Sequence, residues 1–336
     1  MTNLKSPAIF NNPECLVEGW YWALRSAELK PKATTGLVFL GRELVVYRAE
    51  SGQVIAMDAH CPHMGAHLKE GRVEGETLRC LFHYWKFDAR GNCIEIPCQE
   101  RCDFVPVLKT WPVAEKYGLI WIWVGESASQ PVPFVPELKH QPCAARLGNR
   151  FVKNCHPNVV MINAIDAQHF NSVHNLLVDL DLQPTVVNEN CIEFRNTTQI
   201  PQSTWMTRFL ARFYQKALTY ELCYWFGSTG TVTLGPDFLH FHIMFALRPT
   251  PDGKTEGQTL LITRERPGMF GVLINFGLLV LTQIVSNYFA KGDTLIFESI
   301  RFHFRTPIKA DNAIIQFIQH LEQQSATGWG NWGQGR

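Results

Sequence analysis

The sequence predicts an α+β chain of two domains: an antiparallel β domain, then a larger one that combines antiparallel sheet with helices. Three observations carry this expectation. Residues 20–124 read as short strands broken by turns. Residues 126–137 contain Pro131, Pro133 and Pro136, the composition of a linker. From Asn158 the pattern turns helical, and strand-like alternation returns after residue 192. A length of 336 residues suits two domains, and 46% hydrophobic with 18% charged residues is a globular balance. A net charge of +1 gives no electrostatic case for nucleic acid. The expected boundaries are 15–128 for the first domain, 129–325 for the second and 326–336 for a Gly- and Trp-rich tail.

In the first domain, the apolar runs 36–41, 43–47 and 54–57 are separated by Gly41-Arg42 and Ser51-Gly52, and residues 118–124 close the set. These strands present two segments that carry chemistry. The first is Cys61-Pro62-His63; the second, after residues 64 to 79, is Cys80-Leu81-Phe82-His83. Zinc sites usually pair like with like, Cys with Cys and His with His. Each pair here is mixed. Mixed pairs suit a [2Fe–2S] cluster with two Cys on one iron and two His on the other. Trp85 follows closely and is expected to cover the cluster. Ten cysteines might imply disulfides, but two are committed as ligands and Cys15, Cys93, Cys98, Cys102, Cys143, Cys155, Cys191 and Cys223 show no framework spacing. The first residues lack a secretory pattern, so a reducing cytoplasm is the expected location.

At these residues the chain resembles a Rieske protein. Neither ligand loop holds a further Cys, since Met64-Gly65-Ala66 and Leu81-Phe82 fill the positions, so the resemblance is to the oxygenase type. The second domain strengthens it. Asn163, Asp166, His169 and His174 match the Asn-x2-Asp-x2-His-x4-His pattern of the catalytic domain of Rieske non-haem iron oxygenases. Asp166 and His169, three apart, share a helix face. His174 lies about 140° beyond His169 on an ideal helix, so both imidazoles reach one metal only if the helix bends or ends near Asn171-Ser172. Two His and a distant carboxylate form the facial triad of non-haem Fe(II) oxygenases.

The remaining segments follow in order. Residues 204–217 set Trp205, Phe209, Phe213 and Tyr214 against Arg208, Arg212 and Lys216, the pattern of a lid or surface helix. Strands are expected over 219–226, 230–234, 238–246 and 258–263, with His240 and His242 sharing one sheet face. Residues 267–290 contain no charged residue, which raises a membrane span. Yet Asn275, Thr282 and Ser286 fall on one stripe at helical spacing, so the expectation is a helix within the protein rather than a bilayer span, with membrane contact left open. If that helix continues, Asp293 returns to the stripe and becomes the third iron ligand, with Glu298 as runner-up. The segment around Asp293 is similar to the ligand segment of steroid-ring hydroxylases and sterol desaturases, although Gly292 stands where many relatives have Gln or Glu.

The resemblance implies a helix-grip (START-like) catalytic domain. It implies a [2Fe–2S] cluster on Cys61, His63, Cys80 and His83, Fe(II) on His169, His174 and Asp293, and O2 as co-substrate. Asp166 would bridge electron transfer to a cluster His of a neighbouring subunit, which requires a head-to-tail ring, usually a trimer; Asn163 would lie near the iron. An NAD(P)H-dependent reductase or a ferredoxin would supply electrons. The substrate would be small, hydrophobic and ring-containing, and hydroxylation, aromatic-ring dioxygenation and desaturation all use this scaffold. Two other classes, an electron carrier and a lipid-binding module with an inactive iron site, are separated from these by iron content and oxygen uptake.

Overall fold

The computed structural model describes residues 8–174, 180–197, 208 and 219–327. Two compact units divide between Val132 and Pro133, and the stretch ending at Gly19 belongs with the second unit. The lid helix expected over 204–217 lies outside the described residues apart from Arg208, as does the tail beyond Thr327.

The first unit is built of antiparallel strands: β1 (Gly19–Arg25), β2 (Thr34–Phe39), β3 (Arg42–Arg48), β4 (Val54–Asp58), β5 (Arg72–Glu74), β6 (Thr77–Arg79), β7 (Lys86–Phe87), β8 (Cys93–Glu95), β9 (Thr110–Trp111), β10 (Val113–Lys116) and β11 (Leu119–Val124). They form sheets in the orders β9-β4-β3-β2, β10-β11-β1 and β5-β6-β7-β8. Strand β11, Leu-Ile-Trp-Ile-Trp-Val, is buried at every position, which is what an uninterrupted apolar run dictates. In the β5–β8 sheet, Arg79 and Lys86 each bridge Glu74 and Glu95 at 2.8–3.1 Å. Such cross-strand pairs fix the register of strands too short to hold it by backbone bonds alone. That register matters because the Cys80–Trp85 loop joins β6 to β7.

The second unit folds around a seven-stranded antiparallel sheet in the order β12-β18-β17-β16-β15-β14-β13. Its strands are β12 (Cys143–Lys153), β13 (Leu182–Asn188), β14 (Cys191–Asn196), β15 (Thr219–Trp225), β16 (Thr229–Gly235), β17 (Phe241–Pro249) and β18 (Thr255–Arg264). Helices α1 (Pro157–Asn163) and α2 (Ala167–Ser172) sit between β12 and β13, and α3 (Gly268–Ser299) and α4 (Asn312–Leu321) follow β18. The fold is thus α+β, as expected. Met161, Ile162, Leu222, Tyr224, Phe317 and Ile318 belong to one continuous core joining α1, the sheet and α4.

Two features depart from the sequence reading. Asp166 and His169 do not share a helix face; the helical stretch breaks at Ala164–Asp166, and Asp166 caps α2 instead of lying within it. The long helix α3 turns its polar stripe inward, with Asn275 and Thr282 buried, but its opposite, apolar side is exposed. Helical periodicity locates a stripe without saying what covers the other side.

Candidate metal centres

In the first unit, the two ligand loops share one backbone design. Cys61 N–H donates to Ala66 O at 2.9 Å and Gly65 N–H to Cys61 O at 2.9 Å. Cys80 N–H donates to Trp85 O at 2.8 Å and Tyr84 N–H to Cys80 O at 3.1 Å. Both loops therefore close with the same pair of bonds, and both turn through a left-handed residue four places after the cysteine. Gly65 has φ 76° and Tyr84 has φ 59°. Glycine takes that conformation freely, whereas tyrosine holds it at a cost of order 1 kcal/mol. The Cys-x-His and Cys-x-x-His spacings differ, so sequence did not disclose the match; a Gly only at position 65 concealed it.

The loops bury both thiols and leave the imidazoles of His63 and His83 exposed, with ring centroids 4.5 Å apart. Trp85 stacks on His63 at 4.3 Å with the planes 8° apart, holding that ring by its face. Burial pushes the Cys61 thiol up to about 11. A thiol so placed becomes a thiolate when a cation is beside it, and a coordinating metal supplies that cation. Two buried sulfurs with two surface imidazoles fit the donor set of a Rieske [2Fe–2S] group.

In the second unit, local capping positions the other set. Asp166 Oδ1 accepts from Gln168 N at 3.0 Å and His169 N at 3.1 Å, the N-cap that starts α2. Ser172 Oγ bonds back to Gln168 O at 3.1 Å, and the helix ends there. The end of the helix releases His174 to swing back toward His169. Tyr288 of α3 fixes the result, its hydroxyl donating to His174 O at 3.2 Å.

The outcome is a convergence of three acceptor atoms. His169 Nε2 and His174 Nε2 are 3.0 Å apart, and Asp293 Oδ1 stands 2.9 Å from the first and 3.2 Å from the second. Both histidines are buried, and Asp293 Oδ1 is a buried oxygen with no well-aligned donor. Burial, the largest influence, holds the His174 imidazole below its ordinary range despite the nearby Asp293 carboxylate. A neutral imidazole offers a lone pair. Three lone pairs aimed at one point repel unless a cation occupies it. Ligands on one face of an octahedron, each about 2.1 Å from a divalent first-row ion, stand about 3.0 Å apart. The observed spacings fit that face, so the donor set matches a facial triad of two imidazoles and one carboxylate. Glu298 is exposed and apart from this group.

Gly292 marks a close approach of α3 to the His174 loop. A Cβ there would lie 2.8 Å from Val173 Cγ1 and 3.3 Å from His174 Cε1 and Nδ1. Helix α3 thus approaches the His174 loop more closely than any side chain at position 292 allows. Asn163, at the end of α1, places Nδ2 3.2 Å from His169 Nε2.

The triad lies at the edge of a cavity of about 410 Å³. Val160, Phe170, Val232, Leu234, Ile243 and Phe245 are among its apolar walls, and Ser286, Phe289 and Ala290 of α3 also face it. His240 and His242 are not among the lining residues. Instead His240 Nδ1 pairs with Glu137 at 2.7 Å and His242 Nδ1 with Thr233 Oγ1 at 3.0 Å. Sequence reasoning passed over Lys153, the last residue of β12. It lines the cavity and donates to Thr294 Oγ1 at 2.9 Å, with its ammonium held below its ordinary value by desolvation. The signal was weak because β12 reads as mixed polar residues without alternation.

Residues 19–112 match the family model described as the Rieske [2Fe-2S] domain. These residues therefore form a Rieske [2Fe-2S] domain, and the chain is similar over about half its length to several oxygenases and desaturases. It is 36% identical over 177 residues to cholesterol 7-desaturase nvd of Bombyx mori, covering 51% of this chain and 39% of that protein. It is 36% identical over 178 residues to aminopyrrolnitrin oxygenase PrnD of Pseudomonas fluorescens, covering 48% and 47%. It is 32% identical over 168 residues to the probable 3-ketosteroid-9-alpha-monooxygenase oxygenase component of Rhodococcus rhodochrous, covering 48% and 42%. The matches span less than half the length of each of these relatives. In structure, the chain is similar to Pseudomonas putida CBB5 NdmA QL mutant with caffeine, with a TM-score of 0.65 at 18% identity over 90% of this chain and 88% of that one. Dicamba monooxygenase gives a TM-score of 0.58 at 19% identity over 93% and 98%. At these identities the structural likeness speaks to the fold.

Proposed function

We propose that this chain is the terminal oxygenase of a multi-component system that oxidises a hydrophobic, ring-containing substrate. The observation that carries the reading is the convergence of His169, His174 and Asp293 at the wall of an apolar cavity, in a chain with a Rieske domain. Cys61, His63, Cys80 and His83 would hold the cluster, and the triad would hold Fe(II). When bound, the cluster supplies single electrons and the mononuclear iron supplies O2 activation toward a C–H or C=C bond.

The chain's own residues do the rest. Trp85 orients His63, and Asn163 stands beside the His169 nitrogen that would face the metal. The apolar walls exclude water from the reacting end of the cavity. Asp166 has one oxygen committed to the α2 cap, and a carboxylate has a second with which to meet a neighbouring subunit. By the resemblance, that neighbour would contribute His63 or His83 in a head-to-tail trimer. A reductase or ferredoxin would donate electrons from a cytoplasmic location. Relatives named for sterols and for aromatic compounds both occur, and the cavity's aromatic and aliphatic walls suit either.

The test is a single-turnover assay. Iron-replete protein, reduced chemically, is exposed to 18O2 with a panel of steroid and fused-ring compounds. The proposal predicts a labelled or desaturated product and oxygen uptake that needs substrate. Protein carrying both metal centres that consumes no oxygen and transforms no member of the panel would overturn it.

A further inference from the structure

Helix α3 turns its polar stripe inward, and among the described residues nothing covers its apolar outer face. Met269 and Phe270 are each 76% exposed, Phe276 is 62% and Leu295 75%, and Val272, Leu273 and Ile284 lie with them on the surface. At 100° per residue these side chains centre on one face, opposite Asn275, Thr282 and Asp293. An exposed apolar helix face of this length marks a surface that another phase or partner covers. Of its most apolar 18-residue window, 22% is buried. The exposed run is far longer than the scattered surface hydrophobics of a soluble monomer.

We propose that the outer face of α3 docks this domain on an anionic lipid bilayer, lying in the plane of the interface. Charge placement favours lipid over a protein partner. No charged residue interrupts residues 267–290; before the helix exposed Arg264 and Glu265 offset each other, and after the apolar run exposed Lys291 is followed by Glu298 as the one exposed acid of the last turns. Lys291 returns to the outer face by helical spacing, where its long stem would rest on hydrocarbon while its ammonium meets headgroups. Arg301 and Arg305 add exposed positive charge beyond the helix. Protein interfaces, by contrast, mix aromatic anchors with hydrogen-bonding groups and a polar rim.

The helix would lie on the membrane and not cross it. Its inner face carries buried Asn275 and Thr282, with Asn275 Nδ2 bonded to Arg266 O at 3.4 Å and Thr282 Oγ1 to Leu278 O at 2.8 Å. Spanning would expose that face, and Asp293, to hydrocarbon. In the docked pose one turn of helix separates bilayer from cavity, since Tyr288 is exposed while Phe289 and Ala290 line the cavity. The docking does not depend on whether that cavity holds iron.

The experiment is co-sedimentation of the full chain with vesicles of phosphatidylcholine containing phosphatidylglycerol, read beside hydrogen exchange over residues 269–288. Wild type should pellet with these vesicles and gain protection in that segment. Leu273→Glu with Phe276→Glu should lower the pelleted fraction at least tenfold, and Lys291→Glu should weaken binding to the anionic vesicles more than to pure phosphatidylcholine. Exchange on wild type alone decides the matter if the double variant fails to fold. Wild type that stays in the supernatant, with no gain in protection over 269–288, overturns the proposal. So does self-association without vesicles that Phe276→Glu disperses, because the face would then join copies of the chain. Outer-face side chains of 269–288 that resist solution labelling without vesicles or self-association also overturn it, since another part of the chain would then be the cover.

Discussion

Substitution of Gly292 tests whether close approach of α3 tunes the metal triad. In Gly292→Ala the new Cβ meets Val173 Cγ1 at 2.8 Å and the His174 ring at 3.3 Å. Carbon atoms settle at about 3.5–4.0 Å, so Val173 must yield by about 0.7 Å and the imidazole by about 0.2 Å. Such overpacking costs about 1–3 kcal/mol, while replacing a mid-helix glycine by alanine returns about 1 kcal/mol. The net is between no change and a loss of about 2 kcal/mol, a fall in Tm of at most about 8 °C. The effect on metal binding should be larger, because Val173 precedes His174 directly and a displaced supporting shell costs about 10–100-fold in affinity. The assay is anaerobic titration of apo-protein with Fe(II), with cluster absorption as internal standard. Gly277→Ala is the control: its Cβ meets nothing within 4 Å, so it should keep wild-type affinity and gain up to about 1 kcal/mol. Wild-type iron affinity in Gly292→Ala would refute the claim that the approach of α3 constrains His174.

Two further outcomes follow from local chemistry. Asp166→Asn keeps the α2 cap, since Asn caps as well as Asp, so Tm and both metal contents should hold while turnover falls by orders of magnitude; near wild-type turnover would place the electron path elsewhere. His156, the N-cap of α1, accepts from Asn158 N at 3.2 Å, and desolvation pushes its ring down to about 4. The unfolded state then binds a proton that the folded state refuses, so stability is lost as pH falls from about 6.5 toward 4, by about 3 kcal/mol in all. His156→Asn keeps a capping oxygen and should flatten that part of the stability–pH curve; an unchanged slope in denaturant unfolding between pH 6.5 and 4.5 would count against it.

How far the sequence could be read depended on how local each signal was. The runs at 43–47, 54–57 and 118–124 gave strands within two residues of those observed, because apolar periodicity bounded by glycine is a local signal. Strand β12 was missed: Cys143–Lys153 is half-exposed at the sheet edge and its side chains do not alternate. The helix break needed to bring His174 back toward His169 was legible from spacing alone, and α2 does end at Ser172. The capping role of Asp166 was not legible, because three-residue spacing looks the same within a helix as at its start. Asp293 was reached by extending a polar stripe through about five turns, a long extrapolation that held because α3 runs unbroken to Ser299. Nothing in the sequence placed Lys153 in the cavity or showed which side of α3 is covered, since both depend on packing between elements far apart in the chain.

The central claim, a second metal centre completed by Asp293, is tested most directly by counting iron beyond that of the cluster. Total iron is measured per chain, and cluster iron separately by its visible absorption, in wild type, Asp293→Ala and Glu298→Ala. The triad predicts extra iron in wild type and in Glu298→Ala, and none in Asp293→Ala, whose cluster absorption stays intact. Extra iron kept by Asp293→Ala and lost from Glu298→Ala would contradict the account.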